Sequence, residues 1–217
     1  MLKKITLWLF AWITYASVAN SQIMPAPDRA EGDGPFDRLI IRGVTLIDGT
    51  GAPPIGPVDI VVEKNRIAQI SVVGYPGLDI NENRRPKADE KTQVLDMEGH
   101  FLLPGFIDMH GHIGGSANGI PAEYVFKLWL AHGITTIREP GSFNGLAWTL
   151  RHMQAAATNQ IVAPRIVPYV GFGQGLAEPV FNPNQAKKWV QDIKKAGAAG
   201  IKFFGATPQI MAAALAE

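Results

Sequence analysis

The alternation of apolar runs with helical segments after Pro104 constrains the fold of this chain more than any other feature. The runs GFIDMHGHI, ITTIREP, PRIVPYVGF and IKFFG alternate with PAEYVFKLWLAHG, GLAWTLRHMQAAATNQ, NPNQAKKWVQDIKKAGAAG and TPQIMAAALAE, the last under a predicted Thr207 cap. Strands that alternate with helices require right-handed crossovers onto a parallel sheet. The α/β segment 104–217 is therefore predicted to form either an open four-stranded parallel sheet or the first half of a (β/α)8 TIM barrel.

Residues 36–103 have a different pattern, with short period-two runs that are typical of strands. Val58–Val62 and Ile67–Val73 flank a polar turn and are predicted to form a hairpin. The charged stretch Asn81–Lys91 has no apolar periodicity and is predicted to be a solvated loop. We therefore predict a small β-domain before the α/β segment.

The first residues resemble a targeting segment. Lys3 and Lys4 precede an apolar run, and small residues follow it, so cleavage after Ala19 or Ser21 fits a secretory signal peptide over residues 1–21. An uncleaved membrane anchor is the alternative, but the run is shorter than the roughly 20 apolar residues that a spanning helix needs. We expect an exported protein, periplasmic or secreted, with no stable membrane association after signal removal.

Composition excludes several classes of function. The chain of 217 residues is 47% apolar and can bury a core, while its net charge of +1 provides no field that would attract nucleic acid. It has no cysteine, so any metal must be bound by nitrogen and oxygen ligands.

Candidate metal-binding side chains are concentrated at the predicted carboxyl ends of the strands, where parallel α/β folds bind ligands. If the first strand extends through His110 and His112, both side chains point to one face, about 6.6 Å apart, and their imidazoles can bind one metal ion. The alternative is that both are ordinary strand histidines that bond to neighbouring carbonyls. Gly111 between them would let a metal or substrate approach the backbone. Glu139 and Lys202 come at the same rim, although Lys202 could also simply extend from the sheet to water.

Other polar residues near the predicted strand ends and in the helices have structural interpretations. Asp108 shares the face of His110 and either orients a metal ligand or pairs inside the barrel. Only one of Arg138 and Glu139 can point inward. His100, in a predicted turn, and His132 and His152, in helical segments, are interpreted as surface or packing residues, and the loop Gly171–Gly175 as a flexible rim loop.

The motifs LLPGFIDMHGHI, GITTIREPG and GIKFFG, in this order and spacing, resemble those of the amidohydrolase superfamily of metal-dependent hydrolases, in its imidazolonepropionase-like and prolidase-like branch. The resemblance extends from about Phe36 to the end of the chain. It implies that segment 36–103 is part of a small, incomplete β-sandwich domain and that segment 104–217 supplies strands one to four of a TIM barrel.

The resemblance also implies the site. His110 and His112 match the pair that binds the more buried metal, and Lys202 matches a lysine that carbon dioxide converts to a carbamate bridging two metals. One or two divalent ions, zinc by preference, would activate water to hydrolyse the C–N bond of an amide, cyclic amide or small peptide.

The family pattern contains further residues that have no match before Glu217. Histidines from the fifth and sixth strands and an aspartate general base from the eighth would belong to a C-terminal half, so no catalytic base is predicted in this chain. We expect the N-terminal part of a hydrolase, poorly soluble alone because strand edges and apolar helix faces would be uncovered. The alternatives are a catalytically inactive fragment or interaction module, and one half of a two-chain hydrolase; partners beyond the substrate would be a homo-oligomer or a complementing C-terminal half.

Overall fold

We describe the chain from a computed structural model, which describes residues 34–114, 119–176 and 179–217. The predicted signal peptide, residues 1–21, lies outside these ranges.

The first part of the described chain forms one mixed sheet. Its order is β3-β2-β1-β4, with β5 also paired to β1, and the strands are β1 Arg38–Leu46, β2 Ile55–Glu63, β3 Arg66–Val72, β4 Thr92–Asp96 and β5 Phe101–Leu102. The pairs β1–β2 and β2–β3 are antiparallel, whereas β4 and β5 run parallel to β1. The predicted hairpin is confirmed, with its turn at Lys64 in the left-handed region at φ 54°.

The charged segment after β3 is less solvated than its sequence predicts. A short 3-10 turn, Glu82–Arg84, directs Arg85 toward Asp59 of β2, and Arg85 Nη1 lies 3.4 Å from Asp59 Oδ2. The Asp59 side chain is fully buried and also accepts a hydrogen bond from the Gly43 amide at 2.9 Å. A buried carboxylate requires such partners, so the prediction of a wholly solvated loop is wrong at Arg85.

The second part contains a parallel sheet in the order β6-β7-β8-β9. Its strands are β6 Phe106–Asp108, β7 Ile134–Gly141, β8 Arg165–Gly171 and β9 Gly200–Lys202, and its helices are α1 Ala122–Ala131, α2 Leu146–Ala157, α3 Pro183–Ala196 and α4 Pro208–Ala216. Each strand precedes one helix, as the alternating pattern predicts.

Local sequence signals fix the ends of α3 but not the start of α4. Asn182 accepts a hydrogen bond from the Gln185 amide, the Gln185 side chain accepts one from Asn182, and Gly197 ends the helix at φ 105°. Thr207 occupies the N-cap position of α4, but its side chain makes no capping hydrogen bond. The predicted threonine cap is therefore right in position and wrong in the bond that it should make.

Three separate apolar clusters stabilise the described chain. One lies in the mixed sheet around Ile60, one lies between α1 and the parallel sheet around Phe126 and Ile137, and one lies under α3 and α4 around Trp189. The second and third clusters attach the helices to the parallel sheet and so fix its carboxyl edge. None of the helices in the three described ranges is long and apolar enough to cross a membrane.

Candidate metal centre

The two histidines lie beyond the first parallel strand rather than on it. Strand β6 ends at Asp108, and Asp108 Oδ1 accepts a hydrogen bond from the His110 amide at 2.9 Å. This side-chain bond satisfies a backbone group outside the sheet and turns the chain. The expectation that both histidines sit on an extended strand is wrong, yet their rings still meet, with centroids 5.1 Å apart and planes at 87°.

Glu139 of β7 is the partner of His112. Its Oε1 lies 3.0 Å from His112 Nδ1, and its Oε2 accepts a hydrogen bond from the Ile113 amide. Glu139 is only 2% exposed, so its two oxygens are directed at the His112 ring and the Ile113 amide rather than at water. Strand alternation allowed one of Arg138 and Glu139 to point inward, and the buried one is Glu139.

Residues of β7 and of the segment after it hold the histidine segment in place. Arg138 Nε donates to the Met109 carbonyl at 2.6 Å, and Asn144 Nδ2 donates to the Gly114 carbonyl at 2.7 Å. Neighbouring parallel strands thus position the turn that carries His110 and His112.

Close packing explains why residue 111 is a glycine. A Cβ at this position would lie 2.8 Å from Trp129 Cζ2 and 3.2 Å from Asp108 Oδ2. The space that the sequence assigns to an approaching ligand is therefore occupied by the indole of α1, and that interpretation of Gly111 is wrong.

Lys202 ends β9, at the opposite edge of the sheet from β6. Three inter-strand spacings separate these edges, about 14 Å along the sheet. Lys202 Nζ lies 5.7 Å from the centroid of the Phe204 ring, and within the described residues it makes no hydrogen bond or ion pair. Phe143 bridges the gap, with its ring 6.1 Å from that of Phe204 and 5.0 Å from that of His112.

The residues present fit a metal in part. With Nδ1 of His112 engaged by Glu139, the Nε2 atoms of two adjacent imidazoles are donors of the kind that zinc prefers. Across ranges 34–114, 119–176 and 179–217, no group of three or more His, Cys, Asp and Glu side chains is placed to hold a metal ion. The pair would therefore supply two ligands, and Lys202 stays a predicted third.

The other histidines have local partners. His152 stacks on Trp148 with centroids 3.7 Å apart, His132 Nδ1 lies 2.8 Å from the Leu128 carbonyl, and His100 Nδ1 lies 3.2 Å from the Glu98 carbonyl. These contacts agree with their interpretation as packing and surface residues.

The glycine-rich segment after β8 is tied down by Gln174. Gln174 Oε1 accepts from the Gly171 amide at 3.1 Å, and Gln174 Nε2 donates to the Ser142 carbonyl at 2.9 Å. The Gln174 carbonyl accepts from Trp189 Nε1 at 3.1 Å. These bonds join two adjacent loops of the rim and argue against a freely flexible loop.

A cavity of about 850 Å³ lies at the other end of the parallel strands, between the mixed sheet and the start of β7 and β8. It contains no histidine, and its lining includes Phe36, Lys64, Thr135, Met153 and Arg165. We place the candidate site at the histidines instead, because metal-ligating chemistry and the carboxyl ends of parallel strands coincide there.

The histidine pair is evident in the sequence, but two contacts around it are not. The sequence places Glu139 at the end of a predicted strand. Its contact with His112, however, depends on the register of β6 against β7. Nothing in the sequence singled out Phe143, whose ring lies beside His112.

Comparisons with known proteins give a sequence relationship and a fold. No family model matches the chain. An adenine deaminase 2 of Rhizobium etli is 33% identical over 147 residues, which is 64% of this chain and 22% of that protein. The chain thus spans about a fifth of the length of this curated relative.

Two solved structures show the same architecture. A Xaa-Pro dipeptidase with bound methionine has a TM-score of 0.58 at 22% identity, covering 82% of this chain and 53% of that one. A crystal structure named as an amidohydrolase has a TM-score of 0.60 at 16% identity, covering 83% and 53%. At these identities the likeness shows the fold alone. It confirms the predicted fold class, a partial TIM barrel preceded by a small β-domain, which the structure describes as one mixed sheet.

Proposed function

Because the chain belongs to the amidohydrolase superfamily, we propose that the complete protein is a metal-dependent hydrolase that cleaves a C–N bond with an activated water. The observation that carries this proposal is the contact between the His110 and His112 rings at the carboxyl end of the parallel sheet.

The chain's own residues have distinct roles in this proposal. His110 and His112 would hold a divalent ion through imidazole nitrogens, and Lys202, as a carbamate, would be a further ligand. A divalent ion bound there, zinc by preference, would supply a water of lowered pKa and would polarise the scissile carbonyl. Glu139 and Asn144 hold residues 112–114, so that the His112 ring stays beside that of His110.

The substrate class follows from the relatives by analogy. One relative is named as a deaminase of adenine and one structural neighbour as a dipeptidase of Xaa-Pro peptides. Deamination of adenine and hydrolysis of a peptide both break a C–N bond. We propose an amide, a cyclic amide or a small peptide as the substrate, with adenine as a further compound to test.

Partners and location are proposed on the sequence alone. Export to the periplasm or medium rests on Lys3, Lys4 and the apolar run that follows, and N-terminal sequencing of mature protein beginning after Ala19 or Ser21 would support it. Beyond the substrate, the partner is a second copy or a complementing C-terminal half.

Metal content and turnover of the complete gene product test the function. We expect about one or two metal ions per chain, with turnover of one member of a panel of adenine, cyclic amides and Xaa-Pro dipeptides. His110→Ala or His112→Ala should each remove the bound metal and abolish turnover, because each deletes a ligand.

His132→Ala is the matched control, since it removes a histidine whose Nδ1 lies 2.8 Å from the Leu128 carbonyl of α1. It should leave metal content and turnover unchanged. Turnover that persists in both His110→Ala and His112→Ala would contradict the proposal. A folded complete product without metal or turnover would favour an inactive relative or interaction module.

A further inference from the structure

We propose that Glu139 selects the tautomer of His112, keeping the ring proton on Nδ1 so that Nε2 is the nitrogen available to a metal. Glu139 is thus a positioning residue. The use of Nε2 by a metal rests on the proposed function, but the tautomer itself is a property of the metal-free chain.

The two oxygens of Glu139 contact two different nitrogens. Oε1 lies 3.0 Å from His112 Nδ1, and Oε2 accepts the Ile113 amide proton. The Glu139 side chain is only 3% exposed, whereas that of His112 is 42% exposed. The carboxylate is therefore enclosed, and the imidazole extends from it toward the rim.

The chemistry of a carboxylate determines which nitrogen is protonated. Its oxygens are acceptors only, so a neutral His112 must donate Nδ1–H to make this bond. Nε2 then has a free lone pair, which is the form of imidazole that binds metals. A ligating histidine commonly has such a carboxylate on its other nitrogen, and loss of that carboxylate costs metal affinity.

Replacement of Glu139 by glutamine distinguishes tautomer selection from simple packing. Glutamine has the same shape but presents one acceptor oxygen and one donor NH2 group. The Ile113 amide can only donate, so the amide oxygen of glutamine should turn to it. The NH2 group then faces His112 Nδ1, which must become an acceptor, and the ring proton moves to Nε2.

The first measurement is the tautomer of His112 in the unaltered, metal-free chain. Long-range 1H–15N spectra of the ring, recorded in mildly alkaline buffer and assigned with His112→Gln, report which nitrogen has the proton. We expect Nδ1–H, and this result does not depend on any variant of Glu139 folding. A ring protonated on Nε2 would overturn the proposal.

The second measurement compares Glu139→Gln with Asp108→Asn. Both remove one carboxylate near the histidines, but Asp108 bonds to the backbone amide of His110 and not to an imidazole. We expect the tautomer of His112 to switch to Nε2–H in Glu139→Gln and to stay Nδ1–H in Asp108→Asn. The same tautomer in both variants, with native backbone spectra, would contradict the proposal.

Calorimetric titration with Zn²⁺ tests whether the tautomer of His112 affects the affinity for the metal. Glu139→Gln should bind Zn²⁺ alone about 10- to 100-fold more weakly than the unaltered protein, because Nε2 is blocked. If no form binds Zn²⁺ but the tautomer switches, the proposed metal function fails while tautomer selection stands. If Zn²⁺ binds equally in both forms, the proposal that Glu139 reserves Nε2 for a metal is wrong.

Discussion

At the scale of single residues, Gly111 shows how tightly the histidine segment is packed. Its backbone φ is not in the left-handed region, so the reason for glycine is space. A Cβ would meet Trp129 Cζ2 at 2.8 Å. We predict that Gly111→Ala lowers the free energy of unfolding by about 1–3 kcal/mol, measured by urea denaturation.

A double-mutant cycle with Trp129→Phe tests the cause of that penalty. Phenylalanine lacks Cζ2 of the indole, so the added methyl group at residue 111 should fit, and the cost of Gly111→Ala should fall to well under half of its original value. An equal cost in both backgrounds would mean that Asp108, 3.2 Å from the same Cβ, or another neighbour causes the loss.

The sequence points to candidate site residues but does not give the geometry of their contacts. Two histidines one residue apart and a lysine in an apolar run could be recognised as ligand candidates directly. The contact of His112 with Glu139 joins residues 27 positions apart, and it exists only because β6 and β7 pair in one particular register. Such a contact is set by tertiary structure, and strand alternation could only narrow the choice to Glu139 or Arg138.

At the scale of secondary-structure elements, α3 and α4 provide a matched pair of helix starts. Asn182 and Gln185 form a reciprocal capping box, whereas the Thr207 side chain makes no capping bond. We predict that Asn182→Ala costs about 1 kcal/mol of stability because an amide at the start of α3 loses its acceptor. Thr207→Ala should cost only a few tenths of that amount, and equal losses in urea denaturation would contradict this difference.

Most strands and helices could be predicted from the sequence, but some of their ends and contacts could not. Alternating strand and helix patterns persist over whole elements, so the four units after Pro104 and the hairpin before it could be predicted. Strand β6 ends early because a single side chain, Asp108, bonds to the His110 amide. Arg85 is drawn inward by the buried Asp59, a partner that the composition of its own loop does not reveal.

At the scale of the whole molecule, the mixed sheet and the parallel sheet have separate cores. The cluster around Ile60 contains only residues of the first sheet and its loops, while the clusters around Ile137 and Trp189 contain only residues of the second part. A cavity of about 850 Å³ lies between the two parts. Because no apolar cluster of the described residues spans both parts, stability lost in one part should reach the other only weakly.

This separation can be measured with one core variant in each part. Ile60 is 2% exposed and Ile137 is fully buried, so replacement of either by alanine should cost about 2–5 kcal/mol in its own part. Of the tryptophans in the described ranges, Trp129, Trp148 and Trp189 all lie in the second part. With Trp8 and Trp12 replaced by phenylalanine, fluorescence reports on that part alone, and hydrogen exchange of peptides from residues 38–72 reports on the mixed sheet.

We expect Ile60→Ala to speed exchange in the mixed sheet and leave the fluorescence midpoint in urea unchanged. Ile137→Ala should lower that midpoint and leave exchange in the mixed sheet nearly unchanged. If either variant moves both signals equally, the two parts unfold as one cooperative unit. In that case the geometry at His110 and His112 depends on the mixed sheet as well as on the strands beneath it.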